Sequence, residues 1–155
     1  MKLYPPRQPR PAPSPVRIPI FHAVPARARR DGWTPLRQAE FIGHLAETGS
    51  VSEAARRVSM ARETAYRLRA RPWSESFRTA WDTALGARSQ RGETLARKVT
   101  VEELQWRVDS GLWQIRLAAG RFVGVWRKAD NAALLQLLAR TGHGVRPSAA
   151  SRGPR

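Results

Sequence analysis

Six arginines lie close together in one short part of the sequence, and their side chains are suited to nucleic acids. The stretch SVSEAARRVSMARETAYRLRA spans residues 50–70, and Arg71 follows it directly. A guanidinium group is planar, stays protonated, and donates paired hydrogen bonds to phosphates and guanine edges. The pattern allows two interpretations. It is either a helix pair that lays its second helix on DNA, or an ordinary helical hairpin with a solvated basic face.

The candidate DNA contacts come from the second helix of this pair, from the end of the first helix, and from a basic segment before both. They are Arg62, Glu63, Thr64, Tyr66, Arg67, Arg69 and Arg71; Arg56 and Arg57; and Arg27, Arg29 and Arg30. Helical spacing predicts an outer face with Arg62, Tyr66 and Arg69. Arg62 and Glu63 lie near the helix start, where residues reach base edges, whereas Arg67 is predicted to contact phosphate.

Groups that could perform catalysis or bind a metal are scattered. His22, His44 and His143 are far apart, which argues against a metal cluster or a nucleophile–base pair. Glu102 and Glu103 are adjacent, so they point in different directions on a helix. A phosphate-binding glycine loop with a following Lys-Ser/Thr is also missing from the sequence. The sequence therefore predicts a protein that is not an enzyme and that has no cofactor and no metal.

The charge balance points to a polyanionic partner. The 28 Lys and Arg residues exceed the 12 Asp and Glu residues, which gives a formal net charge of +16. Such an excess usually indicates nucleic acid, with an anionic membrane as the second choice. The preference for arginine over lysine is weaker evidence, because a GC-rich genome produces it too.

The sequence has no cysteine, no apolar run long enough for a membrane span, and no signal-peptide pattern. These features predict a cytoplasmic, nucleoid-associated protein that does not engage a membrane.

The two ends of the chain are predicted to be disordered and basic. Residues 1–32 are rich in proline, which breaks helices, and they contain no acidic residue before Asp31. Residues 1–20 are interpreted as a solubilising tail, whereas Arg27, Arg29 and Arg30 are expected to contact a DNA backbone or minor groove. Residues 143–155 form the second basic tail.

Three short helices are predicted between residues 34 and 71. Thr34 can cap the first helix, Pro35 suits its first position, and Gly49 ends it. Ser50 and Glu53 form the capping-box pattern at the start of the second. Small buried residues let the third helix cross the second closely. The apolar positions of these two helices are Val51, Ala54, Ala55, Val58, Ala65 and Leu68.

A fourth helix is predicted after Ser74, with Phe77, Trp81, Ala84 and Leu85 on its apolar stripe. Residues 86–100 fit either a continued helix or a linker. A further helix is expected from about residue 93 to about residue 108, although VTV at 99–101 also suits a strand. Residues 33–90 would thus form an N-terminal domain of three or four helices.

The hydrophobic period changes to two in LWQIRLAAGRFVGVWRK, residues 112–128, which predicts a β-hairpin turning at Ala119 and Gly120. Pairing about that turn would place Leu117 opposite Phe122, and Trp113 opposite Trp126 on the same face. The leucine-rich segment DNAALLQLLARTG, residues 130–142, is expected to form a helix that covers this face. Because these elements present more apolar surface than they can bury alone, residues 91–142 are predicted to form the oligomerisation region, with contacts through residues 105–142.

The segment TPLRQAEFIGHLAETGSVSEAARRVSMARETAYRLRARPWSESFRTAWDTAL, residues 34–85, resembles homeodomain-like helix-turn-helix DNA-binding domains. It is especially similar to those of phage terminase small subunits and related bacterial proteins. The matching features are the Thr-Pro start, ETGSVSEAARRV, Tyr66 in the recognition helix and SFRTAWDTAL. Two positions depart from the pattern, because such turns often have glycine at the position of Ser59 and a capping serine at the position of Ala61. The missing cap is expected to cost roughly 1 kcal/mol.

The resemblance implies a mainly α fold and double-stranded DNA as the partner, with two possible roles. A regulator would be a homodimer on promoter DNA. A terminase-like protein would form a ring, recognise packaging sites and deliver DNA to a large terminase ATPase subunit. Charge alone leaves a third interpretation, a non-specific architectural or RNA-binding protein. The sequence favours sequence-reading DNA binding, with transcriptional regulation ahead of the other roles.

Overall fold

A computed structural model of the chain describes residues 16–27, 29–86 and 97–142. These ranges contain six helices and three strands, so the predicted mainly helical fold is confirmed and a small antiparallel sheet accompanies it. In chain order the elements are β1 (Phe21–His22), α1 (Pro35–Thr48), α2 (Val51–Arg57), α3 (Arg62–Arg69), α4 (Glu75–Ala84), α5 (Val101–Ser110), β2 (Leu112–Ala118), β3 (Arg121–Lys128) and α6 (Asn131–Thr141).

The predicted ends of α1 and the start of α2 are confirmed. The Thr34 side chain accepts a hydrogen bond from the Arg37 backbone N–H, and Gly49 ends α1 in the left-handed conformation that glycine adopts without strain. Ser50 then accepts from the backbone N–H of Glu53. These caps satisfy backbone groups that a helix end leaves without a partner, which explains why two helices can follow each other with so short a link.

The turn between α2 and α3 contains both departures noted in the sequence. Ser59 has a φ of 58°, a left-handed conformation that is costly for a residue with a Cβ. Ala61 occupies the N-cap position of α3 and provides no side-chain hydrogen bond. The two helices nevertheless pack as expected. Ala54, Ala55, Val58, Ala65 and Leu68 are buried, and Val51 is partly buried against the core.

Helix α4 supplies aromatic side chains to the same core. Phe77 and Trp81 are buried and contact each other, and Trp81 also packs against Phe41 of α1. Leu85, predicted on the same stripe, is exposed. The Ser74 hydroxyl does not cap α4 but donates to the backbone carbonyl of Arg69, so it ties the start of α4 to the end of α3.

The segment before α1 contradicts the prediction of a disordered arm through residue 32. Ile18, Phe21, Ala23 and Val24 are buried in the core, and β1 pairs antiparallel with β2. Prolines prevent a helix here, but an extended chain can still bury apolar side chains and pair one backbone edge with a sheet. The parts of the predicted disordered termini at residues 1–15 and 143–155 lie outside the described residues.

The β-hairpin forms about the predicted turn, but the predicted register is wrong beyond the Leu117–Phe122 pair. Leu117 pairs with Phe122 as expected, and a β-bulge then shifts the pairing so that Trp113 lies opposite Arg127. Trp126 instead pairs with Gln114 and is exposed, while the guanidinium of Arg116 lies 5.1 Å from its ring centre. One extra residue in β3 therefore moved Trp126 to the opposite face of the sheet.

The hairpin packs on α1. The prediction that the leucine-rich helix, α6, would cover the hairpin is therefore wrong. Helix α1 contacts both β2 and β3, while α6 packs against α5. The approach to α1 is close at Gly43, where a Cβ would stand 2.3 Å from the Phe122 ring. His44 packs edge to face on the same ring. In α6 only Ala133 is buried, whereas Leu134, Leu135 and Leu138 are exposed.

Helix α5 starts later than predicted. Residues 97–100 are neither helix nor strand, and α5 begins at Val101, where the Thr100 hydroxyl accepts from the backbone N–H of Glu103. The prediction of helix from residue 93 is thus wrong for residues 97–100, because the capping threonine sets the start. Residues 87–96 lie outside the described residues. Within the described ranges, no helix is both long and apolar enough to cross a bilayer.

Candidate nucleic-acid interface

Helix α3 has one buried side and three exposed edges. Ala65 and Leu68 face the core, and their burial fixes the rotation of the helix. At 100° per residue, Glu63 and Arg67 then lie opposite the core. Arg62, Tyr66 and Arg69 lie on the edge towards α4, and Thr64 lies on the edge towards residues 25–33. Arg71, just after the end of α3, also contacts that segment.

The α4 edge corrects the predicted outer face at Arg69. The Arg69 guanidinium forms a 2.8 Å ion pair with Asp82 of α4 and lies 5.2 Å from the Trp81 ring centre. This arginine is therefore used within the protein, and its charge is compensated. The sequence did not indicate this ion pair, because Asp82 lies on a separate helix whose position beside α3 depends on the tertiary fold.

Tyr66 and Arg62 remain accessible on the same edge. The Tyr66 ring packs against Trp81 at 5.5 Å between ring centres, yet the residue is 45% exposed. The Arg62 guanidinium lies 5.8 Å from the Tyr66 ring centre. The two side chains form an exposed aromatic–cation pair at the start of α3, where an arginine can stack and still direct its hydrogen-bond donors outwards.

A groove runs between α3 and the segment before α1. We call it the arginine groove, and its arginines are Arg27, Arg29, Arg67 and Arg71. Its volume is about 320 Å³, and Thr64, Trp33 and Met60 also line it. The segment arginines are therefore brought next to Arg67 of α3 and to Arg71 just after it, which the sequence did not indicate.

The α2 arginines have acidic partners. Arg56 donates to Glu53, and Arg57 donates to both Glu53 and Glu47 of α1. The pKa of the Glu47 carboxyl lies below its usual value, first because the Phe122 backbone N–H donates to it and second because Arg57 does. Arg56 and Arg57, predicted to contact DNA, are thus engaged in a surface ion-pair network.

The other arginines predicted to contact DNA differ in this respect. In the described parts of the chain, no carboxylate forms an ion pair with them. They are Arg27, Arg29, Arg30, Arg62, Arg67 and Arg71. Among the predicted DNA contacts, the arginines without an ion pair therefore lie on α3, just after it, and on the segment before α1. A neighbouring, largely apolar cavity is lined by Arg30 together with Arg27, Arg29, Trp33, Trp106 and Asp109.

Among residues 16–27, 29–86 and 97–142, no group of three or more His, Asp or Glu residues is placed to hold a metal ion. Comparison with protein-family models, with curated proteins and with solved structures finds no match for this chain.

Proposed function

We propose that this protein binds double-stranded DNA through α3 and reads its sequence as a transcriptional regulator. Helices α1, α2 and α3 would then act as a helix-turn-helix unit, with α3 in the major groove. The observation that supports this most is the distribution of charge. The arginines of α2 are paired with carboxylates, whereas Arg62 and Arg67 of α3 are exposed and have no ion-pair partner in the described chain.

Arg62 is the residue proposed to read a base. It occupies the first position of α3 and is supported from one side by Tyr66. Arginine most often recognises the O6 and N7 atoms of guanine, and one such contact is worth about 1–3 kcal/mol of discrimination. Arg67, five residues further along α3, lines the arginine groove and is assigned to the DNA backbone.

The test is selection of binding sites from random duplex DNA, performed with the wild type and with Arg62→Ala. The wild type should enrich a motif, and Arg62→Ala should weaken binding to it by about 1–3 kcal/mol and relax the preference at one or two positions. Arg56→Ala is the matched control, since it removes the same charge from an exposed arginine on α2.

Two results would contradict the proposal. If Arg62→Ala and Arg56→Ala weaken binding equally and leave the motif unchanged, the basic face acts only through its net charge. If the wild type enriches no motif, α3 does not read sequence, and the architectural or RNA-binding interpretation becomes the better one.

The exposed apolar surface supports a proposed homo-oligomer. Leu135 and Leu138 of α6 are 67% and 55% exposed, and Val101 of the neighbouring helix α5 is exposed as well. Apolar groups concentrated on adjacent helices are expected to be covered by another subunit. Light scattering at micromolar concentration should show at least a dimer, and Leu135→Gln with Leu138→Gln should shift it towards monomer. A clean wild-type monomer would refute this part.

The number of subunits also bears on the biological role. A dimer fits a regulator that binds two half-sites. A ring of eight or more subunits would instead favour the terminase-like role, in which the protein passes DNA to a large ATPase subunit.

A further inference from the structure

The arginine groove concentrates like charge in a small space. Arg27 and Arg29 line one wall, Arg67 and Arg71 line the other, and no described carboxylate lines the groove. Like charges that share a groove repel one another, and this repulsion is relieved when an anion enters. A groove of this composition is therefore suited to a ligand with several negative charges.

The wall formed by the segment before α1 is held in place by hydrogen bonds on both sides of the arginines. At its beginning, the buried Gln38 side chain accepts from the Val24 backbone N–H at 2.7 Å and donates to the Val24 carbonyl at 2.8 Å. At its end, the Trp33 indole N–H donates to the Thr64 hydroxyl of α3 at 3.1 Å. Trp33 is itself buried against Phe41.

The two walls are also joined across the groove. The Arg71 guanidinium donates to the Pro25 backbone carbonyl at 3.1 Å. Within the segment, the Arg29 N–H donates to the Arg27 carbonyl and the Gly32 N–H donates to the Arg29 carbonyl. The backbone that presents Arg27 and Arg29 is thus positioned before any ligand arrives, so less ordering entropy is lost on binding than for a free tail.

We propose that the arginine groove is a clamp for the phosphodiester backbone of one DNA strand. It would hold consecutive phosphates between the segment and α3, and so fix the register of α3 on the duplex. The inference rests on the proposed function, because it requires DNA to lie along α3. Contacts to phosphates position a protein without reading bases, which distinguishes the clamp from the role of Arg62.

The double variant Arg27→Ala with Arg29→Ala tests the clamp, because only backbone atoms of these two residues form the hydrogen bonds described above. Arg56→Ala with Arg57→Ala is the control, with the same loss of charge on α2. Affinity is measured against salt concentration for a wild-type-selected duplex and for a scrambled duplex. The slope of log K against log salt should become shallower by about 0.9 for each phosphate that the variant no longer neutralises. Both duplexes should lose affinity by the same factor, and the control should change the slope less.

A second measurement locates the clamp on the DNA. Duplexes with one neutral methylphosphonate at each position in turn should bind the wild type weakly at one or two adjacent positions. The Arg27→Ala, Arg29→Ala protein should be insensitive at those same positions. An equal sensitivity in both proteins, or an unchanged salt slope, would overturn the clamp while leaving base reading by Arg62 intact.

The outcomes also separate this inference from the proposed function. If no motif is enriched but the salt slope of the Arg27→Ala, Arg29→Ala protein becomes shallower as expected on a random duplex, the clamp stands and base reading fails. If wild-type protein binds single-stranded RNA but not duplex DNA, or binds inorganic phosphate as well as it binds a duplex, the clamp is overturned.

Discussion

Replacing Gly43 with alanine should push the β-hairpin away from α1. A Cβ at this position would stand 2.3 Å from Cδ2, 2.4 Å from Cε2 and 2.8 Å from Cγ of Phe122. Carbon atoms in contact prefer a separation of about 3.5–4.0 Å, so the ring must move by more than about 1 Å. The ring is restricted, because it packs on His44 and its own backbone N–H donates to Glu47 at 2.7 Å.

The expected size follows from two opposing effects. Overpacking of this kind costs about 1–3 kcal/mol. Alanine is better than glycine inside a helix by about 1 kcal/mol. The free energy of unfolding of Gly43→Ala should therefore fall by about 1 kcal/mol in the otherwise wild-type protein. When Phe122→Ala removes the ring, Gly43→Ala should instead raise the free energy of unfolding by about 1 kcal/mol, because only the helix preference of alanine remains.

Urea unfolding of the four proteins in this double-mutant cycle gives the coupling between the two sites. Gly124→Ala is the matched control, because a Cβ there meets no heavy atom within 4 Å, and it should cause no loss. If Gly43→Ala stabilises the protein equally with and without the Phe122 ring, the close approach of α1 to the hairpin is wrong.

Two further changes are expected to act through helix caps. Ala61→Ser should supply the missing cap of α3 and raise the free energy of unfolding by about 1 kcal/mol in urea denaturation, and an unchanged midpoint would argue against the described start of α3. Asp130→Ala should lower the free energy of unfolding by about 1–3 kcal/mol, because the carboxylate accepts from the Ala133 N–H to cap α6 and pairs with His22 at 2.6 Å. Burial alone would raise the pKa of Asp130, but the Ala133 N–H, His22 and Arg107 outweigh it and leave that pKa lowered. The stabilisation is therefore present above the unfolded-state pKa of about 3.9 and is lost as pH falls through the lower folded-state pKa. Asp130→Asn keeps a capping side chain, so its stability should vary less with pH below about 4, and an unaltered pH profile would contradict this assignment.

Much of the local structure could be predicted from the sequence, because it depends on neighbours along the chain. Thr34, Ser50 and Gly49 set helix ends through contacts within three or four residues, and the Ala119–Gly120 turn needed only its own backbone. The buried side of α3 was predicted as well, since its rotation follows from helical period. The same reasoning placed Arg62 and Arg67 on exposed surface.

The elements that the sequence did not predict depend on partners that are distant in the chain. Strand β1 exists because β2, about ninety residues later, offers it an edge. The bulge in β3 and the packing of α1 on the hairpin reflect the fit between surfaces, which no single periodicity contains. Bringing together residues this far apart in the chain costs conformational entropy, so these contacts form only where the packing of the whole domain offsets that cost.

The candidate interface likewise combines features that the sequence predicted with features that only the tertiary structure decided. The sequence identified the arginines and predicted the helix that carries several of them. Tertiary structure decided which charges are compensated: Arg69 reaches Asp82, and Arg57 reaches Glu47. It also decided that Arg27 and Arg29 lie across a groove from α3. The physical reason is that an arginine side chain is long and flexible, so its partner is set by whichever groups the fold brings within reach.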